Sequence, residues 1–125
     1  MMTMKHAVYA ALGAALFASP VAANEGDTIN AIKERGELVC GTSTGTAIGL
    51  STLDDAGKWS GLEVDYCRAV AAALLGDADK VRFVPLEFKN AFAALQSSSV
   101  DLLARAATWT YARDTELKFD WAGVY

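Results

Sequence analysis

Histidine is almost absent from this sequence. The single one, His6, stands near the amino terminus, ahead of an apolar run. The rest of the chain therefore has no imidazole to act as base for a serine or cysteine nucleophile. A zinc site built on the two cysteines, Cys40 and Cys67, would be short of ligands for the same reason. An excess of positive charge is also missing. Eleven Lys and Arg against fifteen Asp and Glu leave a net charge of −4, which excludes nucleic-acid binding on bulk electrostatics. The apolar run Ala7–Ala18 is too short to span a bilayer, which takes ~20 residues. Neither a phosphate loop nor a dinucleotide fingerprint occurs.

The amino-terminal stretch has an ordered composition. "MMTMKH" carries Lys5, "AVYAALGAALFA" is apolar, and "SPVAA" ends in small residues. This is the order of a secretory signal peptide, with a cut expected after Ala23. The chain then divides into a signal peptide, residues 1–23, and an exported part, residues 24–125. In an oxidising compartment a disulfide is the default for Cys40 and Cys67. Two buried free thiols are the alternative. A bridge would close a loop of about 28 residues, worth ~3.5 kcal/mol on the chain-entropy model.

Along the exported part, "GDTINAIKERG" reads as a helix capped by Asp27 and ended by Gly36. "ELVCGT" follows as a short apolar strand, Leu38 to Gly41. "TGTAIGLSTLDDAGKWSG" is rich in Gly, Ser and Thr, and its turn signal at Asp55–Lys58 predicts a small hairpin. In "LEVDYCRAVAAALLGD", Val64, Cys67, Val70, Ala71 and Leu74 form one apolar helical face. "KVRFVPLEF" is a strand that Pro85 ends. "KNAFAALQSSS" is a second amphipathic helix, with Ala91, Ala94 and Leu95 on one face. "VDLLA" is a third strand. "TYARDTELKFDWAGVY" reads as a helical turn and a last extended piece.

Strands that alternate with helices imply a parallel α/β sheet with right-handed crossovers and helices on both faces. In such sheets ligands bind beyond the carboxyl ends of the strands. That rule gathers three loops, Thr42 to Ser51, Leu86 to Asn90 and Ala104 to Arg113. The first offers Ser43 among glycines and hydroxyls. The second offers Phe88, which could stack on a ligand or be the first core residue of the next helix. The third offers Arg105 and Arg113, planar forks that match a carboxylate. Asp101, Asp114 and Glu116 are their alternative, structural partners. Asp54 and Asp55 lie in a turn, where solvation explains them. These groups suit binding better than catalysis.

"GELVCGTSTG", "WSGLEVDYCRAVAAALLGDADKVRFVPL", "FAALQSSSVDLLAR" and "TWTYARDTELKFDWAGVY" resemble the exported solute-binding proteins of polar amino-acid ABC transporters, in particular the branch for general L-amino-acid uptake. The resemblance covers essentially all of residues 24–125. It implies a type II periplasmic binding fold, two α/β lobes that close on one L-amino acid and deliver it to a membrane permease, with no cofactor or metal. The ligand's α-carboxylate would be held by Arg113, the Thr108 hydroxyl and backbone amides from the Arg105–Thr108 segment, Ala106 included. Phe88 would supply the aromatic ring over the ligand and Ser43 the polar contact of the first loop. Arg105 would stand at the rim. The family's cysteines look paired, in favour of a Cys40–Cys67 bridge, and its location is the periplasm.

Departures from the family pattern carry expectations of their own. Asn-Thr is usual where Ala106-Ala107 stand, phenylalanine where Leu50 stands, and Arg-Phe where Ala91-Phe92 stand. The family's chain runs on into a second lobe, so residues 24–125 correspond to an incomplete first lobe with an open sheet edge. Binding by this chain alone is accordingly expected to be impaired. The competing readings are an exported dehydratase-like enzyme on the same fold and a sensor or interaction domain.

Overall fold

The computed structural model describes residues 26–123 and 125. The signal peptide expected over residues 1–23 and its cleavage point lie outside the described residues.

Helix α1, Asp27–Arg35, begins after Gly26, whose φ of 102° takes the cap position expected of Asp27. Asp27 is instead the first helical residue, where its negative charge suits the positive end of the helix dipole. Gly36 closes α1 in a left-handed conformation (φ 73°), donating its N–H to the Ile32 carbonyl at 2.9 Å.

Strand β1, Leu38–Thr42, is buried along its whole length. It lies between two parallel partners. One is β5, Val81–Pro85, in register from Leu38 opposite Val81 to Thr42 opposite Pro85. The other is β6, Leu102–Leu103, opposite Cys40 and Gly41. A strand covered on both faces reads as a continuous apolar run rather than an alternating one. Leu38 packs with Ile32 of α1 and with Ala71 of helix α2, Leu62–Leu75, on one face. On the other face Gly41 is pressed against side chains. A Cβ there would come within 2.8 Å of Leu86 Cδ1 and 3.1 Å of Leu103 Cδ1. Helix α3, Phe88–Gln96, completes the crossover from β5 to β6.

The Cys40–Cys67 disulfide joins β1 to α2, with a Cα–Cα distance of 6.1 Å, and removes the free-thiol alternative. Val64, Cys67 and Ala71 are buried, and Val70 and Leu74 pack against the same core. This is the helical face expected from their spacing.

Between β1 and α2 the chain forms a small antiparallel sheet. Strand β2, Thr46–Ala47, pairs with β3, Ser51–Leu53, which pairs with β4, Trp59–Ser60. The expected hairpin is the β3–β4 pair. Asp54 Oδ1 closes its turn by accepting from the Ala56 and Lys58 amides at 3.0 and 2.7 Å. This segment also caps α2: the amides of Leu62 and Glu63 donate to the carbonyls of Gly49 and Leu50 at 3.0 and 2.9 Å.

Two expectations change at the carboxyl end. β6 is shorter than "VDLLA", and Asp101 just before it is held by its side chain. Its carboxylate accepts from the Val39 amide at 2.7 Å and pairs with Arg35. The last extended piece forms no strand among the described residues beyond helix α4, Tyr111–Thr115. It is held by aromatic contacts instead. Phe119 stacks on Phe92 with centroids 5.5 Å apart, and Tyr125 meets Tyr66 at 5.2 Å.

Candidate functional site

Because β1, β5 and β6 are parallel, the loops that follow them leave the same edge of the sheet. Two hydrogen bonds chain these loops together. The Leu86 amide donates to the Thr42 carbonyl, linking the second loop to the end of β1, and Arg105 Nε donates to the Leu86 carbonyl, linking the third to the second. Both are 2.9 Å long.

Phe88 stands on this edge at the start of α3, after the outer strand β5. It is 45% exposed, so it is not the core residue its position at a helix start allowed. The guanidinium carbon of Arg105 is 5.1 Å from its ring centre and that of Arg113 is 5.6 Å away. Arg113 also lies 4.6 Å from the Phe92 ring, which meets Phe88 edge-on at 5.7 Å. Such contacts hold a cation in place by the ring quadrupole without neutralising it. Asp101 pairs with Arg35 rather than with either of these arginines, and among the described residues neither Arg105 nor Arg113 forms an ion pair.

Arg113 sits in α4, where the Thr110 hydroxyl accepts from its backbone amide at 3.3 Å. Its side chain turns back and donates from Nη1 to the Thr108 carbonyl at 2.5 Å. Thr108 therefore holds the guanidinium through its backbone, and its side chain is exposed. The amides of Ala107 and Thr108 donate to no other described residue. Between them and β6, Ala106 has a φ of 44°. Left-handed residues contribute to the backbone concavities that bind anions.

The Ala106 amide donates to the Tyr125 hydroxyl at 2.9 Å, and that hydroxyl donates to Glu63 Oε1, also at 2.9 Å. The Tyr125 phenol is pushed up from 10.0 to about 12, mainly by burial of its hydroxyl end. The Ala106 N–H acts the other way, while the Glu63 carboxyl adds to the rise. The residue as a whole is 51% exposed. Sequence reasoning passed over Glu63 and Tyr125. A charged residue in the first turn of a helix ordinarily signals solvent, and only the tertiary fold buries this one.

Ser43 stands apart. Its hydroxyl bonds to that of Ser51 within the small sheet, and no described contact joins it to the arginine cluster. An open groove of about 690 Å³ nevertheless brings the first and third loops together, lined by Leu50, Leu62, Ala106, Thr108, Trp109 and Tyr125 among others. Trp109 borders it and stacks on Trp121 at 5.7 Å. Among the described residues no group of three or more His, Cys, Asp or Glu is placed to hold a metal ion.

The edge thus presents two guanidinium groups without carboxylate partners, free backbone donors and exposed hydroxyls beside an aromatic ring. Guanidinium groups and backbone amides are the donors that a carboxylate accepts from. Comparisons with known proteins identify similar chains. The family described as bacterial extracellular solute-binding proteins, family 3, matches residues 38–121. The general L-amino acid-binding periplasmic protein AapJ of Rhizobium johnstonii is 43% identical over 115 residues, covering 92% of this chain and 33% of that protein. The glutamate/glutamine/aspartate/asparagine-binding protein BztA of Rhodobacter capsulatus is 44% identical over 110 residues, 88% of this chain and 32% of that one. A solved periplasmic binding protein of an ABC transporter from Brucella ovis, with glutathione bound, superposes with a TM-score of 0.75 at 52% identity. It covers 78% of this chain and 30% of its own. The chain spans about a third of the length of these curated relatives.

Proposed function

We propose, from the premise that the chain belongs to the bacterial extracellular solute-binding proteins of family 3, that residues 24–125 are part of the first lobe of a periplasmic amino-acid receptor. In this reading the receptor captures L-amino acids and hands them to the membrane permease of an ABC transporter. Residues 1–23 direct its export. The relatives named above are binding proteins, and the groups at this sheet edge suit holding a ligand.

The observation that carries the reading is the pair Arg105 and Arg113. Both lie against Phe88 at the carboxyl edge of the sheet, and neither has a carboxylate partner among the described residues. Arg113 would take the α-carboxylate, because it is held next to the free amides of Ala107 and Thr108 and the Thr108 hydroxyl. Phe88 would form the apolar floor and Arg105 the rim, with Ala106 shaping the backbone between them. Ser43 would reach the ligand only by exchanging its bond to Ser51. The ligand's other groups would be met by a second lobe, in which the residue for the α-amino group would lie.

The test is a titration of the chain with L-glutamate and L-glutamine, followed by amide resonances and by calorimetry. Saturable shifts centred on Ala107, Thr108 and Arg113, with an affinity weaker than micromolar, are expected. Shifts centred elsewhere would remove these loops from the site, as would a chain extended to the length of its relatives that binds L-glutamate without shifting them.

A further inference from the structure

Glu63 is a charged residue in the interior. It is 1% exposed, and it stands in the first turn of α2 with its amide on the Leu50 carbonyl. Burying a carboxyl group costs free energy that its hydrogen bonds must offset. Here the offset is incomplete. Oε1 accepts from the Tyr125 hydroxyl, and Oε2 has no partner among the described residues. A buried polar atom left unsatisfied calls for an explanation beyond packing.

The far end of the same chain of bonds supplies one. Tyr125 gives its only proton to Glu63, so its oxygen is left to accept, and it accepts from the Ala106 amide. A hydroxyl polarised in this way is a stronger acceptor than an isolated one. Ala106 needs such a hold. Its φ of 44° puts an alanine in the left-handed region, which disfavours residues with a Cβ. Its amide is adjacent in sequence to the unengaged amides of Ala107 and Thr108.

We propose that Glu63 is a positioning residue: through the Tyr125 hydroxyl it fixes Ala106 in its left-handed conformation and so aims the neighbouring backbone donors at the ligand's carboxylate. This rests on the reading of the Arg105–Thr108 segment as part of the binding site. Glu63 itself touches no ligand. It is the buried end of a strap that reaches the Arg105–Thr108 loop through Tyr125, 62 residues on in sequence.

Amide hydrogen exchange and L-glutamate titration of the 125-residue chain test the proposal together. Tyr125→Phe keeps the ring and deletes only the bridging oxygen, and Glu63→Ala removes the anchor. Each should speed exchange at Ala106 about tenfold, the size of one lost hydrogen bond. Each should also weaken L-glutamate binding several-fold while leaving the β1 amides protected. Glu63→Gln keeps an acceptor and should restore both properties. Unchanged exchange at Ala106 in Tyr125→Phe would overturn the proposal whether or not Glu63→Ala folds. Arg113→Ala separates the two readings. If it abolishes binding while Tyr125→Phe leaves affinity intact, the positioning role fails and the site stands. If neither variant affects binding, the site reading itself fails and takes the positioning role with it.

Discussion

Arg105 and Arg113 share one ring: their guanidinium carbons lie 5.1 and 5.6 Å from the centre of Phe88. Two like charges against one phenylalanine, with no carboxylate beside either among the described residues, are better balanced with an anion bound than without one. Arg113→Ala should therefore cost binding of an L-amino acid about 10- to 100-fold, the worth of a charge-assisted hydrogen bond. Arg113→Lys should recover only part of that, since the ammonium lacks the planar fork. Calorimetry on a chain extended to the length of its relatives would read both values. Equal affinities in the parent and Arg113→Ala would contradict the assignment.

The Cys40–Cys67 bridge spans 27 residues of sequence and joins the central strand to α2. Replacing both cysteines by alanine should lower stability by about 3 kcal/mol, chiefly by freeing the unfolded chain. Urea unfolding with and without reductant checks this. A midpoint insensitive to reductant would mean that the bridge does not stabilise the fold.

Ala106 adopts a φ of 44° that asparagine and glycine tolerate better than alanine does. Ala106→Asn should stabilise the chain by up to about 1 kcal/mol, and the β-branched Ala106→Val should destabilise it by ~1–2 kcal/mol. Thermal unfolding of the two variants should give melting temperatures on opposite sides of the parent. The reverse order, or no difference between the two, would show that the loop is not held in this conformation in solution.

The Tyr125 phenol sets an alkaline limit. Its value in the folded chain is about 12 against an ordinary 10.0, so folding favours the protonated form. That contribution is complete below pH 10 and is lost as pH rises from 10 toward about 12. Stability should fall across that window in the parent and fall less in Tyr125→Phe. Chemical denaturation at stepped pH would show it, and parallel curves for the two chains would count against the buried hydroxyl.

Much of the architecture was legible because it follows from repeating patterns. The apolar positions of α2 are spaced for one helical face, and Val64, Cys67 and Ala71 are buried there. Alternating strands and helices implied a parallel sheet, and parallel strands imply a shared loop edge, so Phe88, Arg105 and Arg113 could be grouped before any coordinates. What was not legible depends on single long-range partners. Asp101 belongs to Arg35 and the Val39 amide, partners 66 and 62 residues away in sequence. Glu63 is buried, and no local pattern distinguishes it from a solvated first-turn glutamate. The last residues looked extended, and they lie instead against the aromatic rings of α2 and α3.

The capping of α2 by the carbonyls of Gly49 and Leu50 has a mechanical consequence. The helix is pinned at its start by that loop and in its middle by the bridge to β1. It behaves as a strut with two fixed points, and the first loop is stiffened along with it. The segment after β6 has no such covalent anchor among the described residues, and its α4 is five residues long with no buried residue. The two sides of the groove are thus held differently: the Leu50 side is tied to a disulfide-anchored helix, and the Thr108 side is held by side-chain contacts such as Arg113 to the Thr108 carbonyl and Trp109 to Trp121.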